Sequence, residues 1–289
     1  MRLPGLIIIV LALITPVLAR DIKKEIEKLI EKGKYSQAEN LIYEAQAQGE
    51  YSPDLQILLA RIFFLRKDYK NTYETIMSIE PPQDATTKSK LVSFLIEFGD
   101  SARALKYRNM AINVYYKAYT INEGAFLGNR ANLIASYLMD QGDFETAKKL
   151  FDKFLEEGGN LDEILPSYIR CLYMLNKWNE IVRFSSKILK IREDAELQFI
   201  LGETYYNLGR HYKEMNMPDS ALYYLNLLIQ FGTPKIYLDD AYFLRGQIFY
   251  EMGEKEKALE AFYKVLTIAP PRSAIARRAK EMINEIEKK

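Results

Sequence analysis

The sequence predicts an all-α protein, a solenoid of about seven helical hairpins closed by one C-terminal capping helix. Three observations carry that expectation. A single spacing of small, turn-forming and large apolar residues recurs along the chain. Three of the steps between copies come to 34 residues, one of them once a six-residue insertion is set aside. The last stretch holds its apolar residues at helical period alone. Composition agrees, with 48% hydrophobic and 27% charged residues in a 289-residue chain, enough to bury a sizeable core. A formal net charge of +1 leaves no basic excess of the kind that draws a protein onto nucleic acid or anionic lipid.

Residues 1–19 read as a signal peptide. Arg2 gives a positive start, Leu6 to Ile14 is uninterruptedly apolar, and Thr15-Pro16 breaks the run before Val17-Leu18-Ala19. Cleavage after Ala19 leaves Arg20 first, so the expected destination is the periplasm. The rival reading is an uncleaved anchor and a membrane-tethered subunit, which the shortness of the run opposes, since a spanning helix needs about 20 apolar residues. No cysteine follows the run to carry a lipid. Asp21 to Lys32, dense in charge, reads as a first helix that shields the N-terminal end.

The copies follow in order. Ile26, Gly33, Ala38, Ile42 and Ala45 make the first, and Ala60, Lys67, Thr72, Ile76 and Ile79 the second. Gly99, Lys106, Ala111, Tyr115 and Ala118 make the third, and Ala135, Gly142, Ala147, Phe151, Phe154 and Gly159 the fourth. The fifth, Ile169, Asn176, Ile181, Ser185 and Ile188, is the poorest, with large residues where small ones are expected. Gly209, Asn216, Ala221, Leu225 and Leu228 give the sixth; Gly246, Gly253, Ala258, Phe262, Val265 and Pro270 give the seventh. Two helices joined by a tight turn explain each set: small residues let the helices approach and large ones fill the space around them. The units lie near 19–52, 53–86, 92–125, 128–161, 162–195, 202–235 and 239–272, within a repeat region of 20–272. The long step from 53 to 92 carries an insertion around Pro81-Pro82-Gln83-Asp84, where a looser joint or altered packing angle is expected. In 273–289, Ala274, Ile275, Ala279, Met282, Ile283 and Ile286 form one apolar face opposite a charged one, the pattern of a solubilising cap.

This pattern resembles the tetratricopeptide-repeat family over essentially the whole chain after residue 19. The resemblance implies a right-handed superhelix and a concave face lined by the first helix of each unit that holds protein or peptide partners; the lack of a catalytic, nucleotide or metal motif in the sequence adds the expectation of no catalytic activity and no cofactor. Carried onto this sequence, the inward positions are Arg61 and Phe64, Arg103, Asn132 and Met139, Arg170 and Tyr173, Tyr206 and Arg210, Phe243 and Tyr250. The Lys and Asn pattern with which some relatives clamp a C-terminal carboxylate is absent. Among exported relatives the chain looks like the repeat regions of cell-envelope assembly factors. A protein-binding scaffold of the envelope is therefore expected, with a glycan-binding or enzyme-accessory module as the alternative.

No chemical motif competes with that reading. Gly158-Gly159 fits a helix terminus rather than a phosphate loop. His211 is the only histidine, too few for a His-based metal cluster, and is expected to be packed or half-exposed. Cys171, the sole cysteine, reads as a small buried hydrophobe. Asp239-Asp240 is placed to satisfy the free amides and the positive end of the helix that follows.

Overall fold

The computed structural model describes residues 22–191 and 193–288; the proposed signal segment and its cleavage site lie outside them. Sixteen α-helices and one 3₁₀ turn make up the described residues, with no strand among them. They are α1 (22–31), α2 (Tyr35–Ala47), α3 (Pro53–Leu65), α4 (Tyr69–Ser78), α5 (Ala85–Ala104), α6 (Arg108–Ile121), α7 (Asn129–Asp140) and α8 (Phe144–Glu156). α9 (Leu161–Met174), α10 (Trp178–Arg183), α11 (Ser185–Ile188), α12 (Ala195–Glu214), α13 (Pro218–Phe231), α14 (Leu238–Glu251), α15 (Lys255–Ile268) and α16 (Ala274–Lys288) complete the list. No described helix is long and apolar enough to cross a membrane.

The turn between the two helices of each copy is built the same way seven times. Gly33, Lys67, Lys106, Gly142, Asn176, Asn216 and Gly253 all have positive φ, between 55° and 80°. Each ends the first helix in the left-handed conformation that frees the next amide to bond back to a helix carbonyl. The bond runs from Asp68 N to Phe63 O at 2.9 Å and from Glu254 N to Phe249 O at 2.8 Å. Three of the seven positions are glycine and four are Lys or Asn, so spacing rather than residue type identifies them.

The small residues act through close approach. A Cβ on Gly99 would lie 2.3 Å from Tyr115 Cε1, on Gly209 2.7 Å from Leu225 Cδ2, and on Gly246 2.7 Å from Phe262 Cε1. Each large partner stands sixteen residues after its glycine. The fifth copy exchanges the sizes, with Ile169 at the small position and Ser185 at the large one. Its second helix is interrupted there, α10 stopping at Arg183 and α11 starting at Ser185.

The chain divides into two compact units, one running to Tyr137 with Glu156–Gly159 added, the other formed by Leu138–Leu155 and Asn160–Lys289. In the first, Ile57, Ala60, Ile76, Ile79, Leu91, Phe94, Phe98, Val114 and Ala118 share one core. That core corrects the expectation of a loose joint after Pro81-Pro82. The third hairpin starts at Ala85 rather than near 92 because the extra residues extend α5 to 20 residues, with Asp84 accepting from Thr87 N at 2.8 Å as N-cap. Lys117 of α6 donates to the carbonyls of Met77 and Ile79 at 2.7 Å, tying the end of α4 to the third hairpin. In the second unit the six-residue insertion has the same outcome. α12 starts at Ala195 instead of near 202, again 20 residues long and capped by an aspartate, Asp194.

The C-terminal end follows the cap pattern. Ala276, Ala279, Ile283 and Ile286 of α16 are buried with Phe249, Phe262 and Val265. Cys171 is fully buried; burial pushes its thiol pKa up to about 12, and Sγ donates to Phe144 O at 3.2 Å. α8 ends at Glu156, with Gly158 at φ 88° behind it. Asp239 and Asp240 lie in the first turn of α14, at the positive end of the helix, and Asp239 accepts from the otherwise free amide of Asp240 at 2.9 Å; Tyr237 occupies the cap position without a side-chain bond.

Candidate partner-binding cleft

Several of the predicted inward side chains are tied to the next first helix along the chain or to the cap. Arg61 of α3 donates twice to Glu97 of α5, at 2.7 and 2.8 Å, and lies 4.5 Å over the Phe94 ring. Phe64 meets Tyr69, Phe94 and Phe98 edge-on and is a packing residue. Asn132 is half-buried, 3.4 Å from the Ser136 hydroxyl that donates to it, and Met139 is half-buried on α7. Arg170 of α9 pairs with Glu196 of α12 at 2.8 Å. Tyr250 donates to Glu285 of the cap at 2.8 Å.

Phe243 departs furthest from its predicted place. It is 4% exposed, packed on Phe262 with the Arg278 guanidinium 4.4 Å over its ring. A partner could reach it only after α16 had moved. The C-terminal cap covers Phe243. Arg103, by contrast, is exposed on α5.

Three predicted residues, Tyr173, Tyr206 and Arg210, come together in the second unit. Tyr173 and Arg210 line a cleft of about 860 Å³ between the end of α9, the turn and start of α10, and the face of α12. Its other walls are Met174, Asn176, Lys177, Trp178, Glu180, Glu203, Asn207, His211 and Glu214, among others. On α12 the residues fall at 203, 207, 210, 211 and 214, a single helical stripe. The irregular fifth hairpin supplies the opposite wall: Asn176 in the left-handed turn, then Trp178 and Glu180 on the short α10.

Glu203 organises one end of the cleft. Tyr173 Oη donates to its Oε2 at 2.6 Å and Tyr237 Oη to its Oε1 at 2.8 Å. Each phenol is also held by a second ring, Tyr173 in a T-shaped contact with Trp178 at 5.7 Å and Tyr237 by parallel stacking on Tyr206 at 4.8 Å. Donation to Glu203, then burial, pushes the Tyr173 pKa up to about 12; for Tyr237 burial comes first and the same carboxylate second, again to about 12. Both phenols therefore stay protonated at neutral pH and remain donors. Of the other charged residues, Arg210 pairs loosely with Glu214 at 3.6 Å and Glu180 with Lys148, outside the cleft, at 3.0 Å. Asn207 and Asn179 offer amides that can bond a peptide backbone.

Sequence reasoning did not select Glu203, Asn207 or Trp178. His211, expected to be packed or half-exposed, is exposed at the rim with its ring 5.7 Å from that of Tyr212. Among the described residues no group of three or more His, Cys, Asp or Glu is placed to hold a metal ion.

Residues 239–270 match the family model described as tetratricopeptide repeat. Similar solved structures include a TPR-repeats protein from Bacteroides fragilis, 15% identical, TM-score 0.42, covering 68% of this chain and 98% of that one. The C-terminal part of a TPR repeat-containing protein from Cytophaga hutchinsonii is 16% identical, with a TM-score of 0.36, covering 90% of this chain and 99% of that one. YrrB, described as a TPR protein with an unusual peptide-binding site, is 21% identical with a TM-score of 0.36, covering 65% of this chain and 90% of that one. No curated protein sequence matches the chain.

Proposed function

We propose that this chain, a tetratricopeptide-repeat protein, is a non-catalytic scaffold of the cell envelope that holds an extended segment of a partner protein in the cleft between α9, α10 and α12. Interaction with other proteins is the general role of such repeats. The finer reading is supported by one observation above the rest: this cleft is lined by side chains that the packing does not consume. Elsewhere, Arg61, Arg170 and Tyr250 are spent on ties to the next first helix or to the cap. Here Asn176, Asn207, Arg210 and His211 face open space beside two aromatic rings. Large aromatics with directional polar groups are the combination on which interfaces concentrate their binding energy. Export rests on residues 1–19 of the sequence and places the partner in the periplasm.

The test is selection of binders from a random dodecapeptide library displayed on phage, using the chain from residue 20 onward. The triple variant Asn207→Ala/Arg210→Ala/His211→Ala removes cleft contacts without touching the core. Selected peptides are expected to bind at micromolar affinity and to lose at least tenfold with the triple variant. Selection that yields no peptide, or peptides indifferent to the triple variant, overturns the cleft as the partner site. A glycan-binding role instead predicts retention on purified peptidoglycan or polysaccharide with no protein present, through the ring faces of Tyr173 and Trp178.

A further inference from the structure

The cleft contains one carboxylate whose charge nothing in it answers. Of its three acidic residues, Glu180 meets Lys148 at 3.0 Å and Glu214 meets Arg210 at 3.6 Å. Glu203 makes no ion pair among the described residues; its oxygens are met by two neutral phenols, one each. A half-buried carboxylate loses water, and two neutral donors return only part of what a cation or full hydration supplies. An ionised carboxyl group accepts roughly four hydrogen bonds, so about two sites remain for an incoming donor. The group is also oriented in advance. Tyr173 is braced by Trp178 and Tyr237 by Tyr206, so both oxygens are fixed before anything arrives. The walls around it are aromatic, and ring faces attract cations, most strongly where water is partly excluded.

The cations nearby do not pair with Glu203. Arg210 stands two helical turns along α12, roughly 10 Å in axial rise, beside Glu214 and the Tyr206 hydroxyl. Lys177 is exposed on the turn before α10, with no ion pair among the described residues. We infer that Glu203, with Tyr173 and Trp178 as its walls, receives a basic side chain, lysine or arginine, of the bound segment, so that the cleft selects partners by a cationic residue. The inference rests on the cleft being the partner site. A basic side chain would bond the free lone pairs of Glu203 while its methylene stem lies against the rings, as such stems do on apolar surface.

The experiment uses the dodecapeptides selected above and two further measurements. Peptides recovered on the wild-type chain are expected to carry Lys or Arg at one aligned position, and replacing that residue by Gln, or acetylating the lysine, should weaken binding at least tenfold. Glu203→Gln keeps the shape and still accepts a phenol, and it should bind the basic and neutral peptides within threefold of each other. The single tryptophan, Trp178, lines the cleft, so its fluorescence reports occupancy in every titration and its unperturbed emission confirms that the variant is folded. Peptides that bind in the cleft with no aligned basic residue, or that keep their preference for lysine on Glu203→Gln, overturn this inference and leave the cleft standing. Peptides that leave Trp178 emission unchanged and ignore the triple variant overturn the cleft itself.

Discussion

Gly99→Ala tests whether size complementarity between the two helices of a hairpin, rather than helix propensity, sets stability. In an exposed helix the change would stabilise by about 1 kcal/mol, because alanine is the better helix former. Here the new Cβ would meet Tyr115 Cε1 at 2.3 Å, Cδ1 at 2.8 Å and Cζ at 2.9 Å. Tyr115 has nowhere to turn: it is fully buried, its hydroxyl donates to Asp100 at 2.7 Å, and the Arg130 guanidinium lies 5.7 Å over its ring. Overpacking of this kind costs about 1 to 3 kcal/mol and sometimes more. With three contacts under 3 Å the upper part of that range applies, for a net loss of about 2 kcal/mol after the propensity gain. The second hairpin solves the same problem with Ala60 and Ile76, so Tyr115→Ile should relieve the clash that Gly99→Ala creates. Urea unfolding followed by far-ultraviolet circular dichroism, run as a double-mutant cycle, is expected to show a favourable coupling of about 1 to 2 kcal/mol. A single variant as stable as wild type, or strictly additive changes, would refute the packing argument.

Other outcomes follow from the same structure. Cys171 should resist maleimide in the native state and react fully after unfolding, because it is buried and its thiol pKa lies near 12; rapid native labelling would contradict its place in the core. Lys117→Met should cost about 1 to 2 kcal/mol, since two carbonyls at the end of α4 lose their donor, measured as a lower urea midpoint. Asp100 is held below the usual carboxylate range, first by its bonds to Arg130. Its contribution is therefore complete above the unfolded value near 3.8 and is lost as pH falls through the lower folded value. Asp100→Asn should flatten the acid limb of the stability curve below about pH 4, and an unchanged limb would show the pair to be idle.

The turns were legible in the sequence because the left-handed residue recurs at one spacing, whichever of Gly, Lys or Asn supplies it. The extensions of α5 and α12 were not, because Pro81-Pro82 reads as a loop and hides how soon a helix restarts. Asp84, three residues before Thr87, was the available signal. The inward face was legible as a set of positions but not as a set of roles. Whether Arg61 or Arg210 is free depends on a partner one repeat away, as with Arg61 and Glu97 or Lys213 and Glu251. Pairing each inward residue with those 30 to 38 positions later would have found Glu203 between Tyr173 and Tyr237. The C-terminal helix was recognised as a cap, yet its reach over Phe243 through Arg278 depends on side-chain geometry that spacing does not carry.

The most direct test of the account is backbone hydrogen exchange of the chain with and without a selected dodecapeptide. Slower exchange confined to the end of α9, residues 175–180 and the 203–214 face of α12 is the predicted result. Protection on α3 and α5 instead, or no change at a saturating peptide concentration, would contradict it.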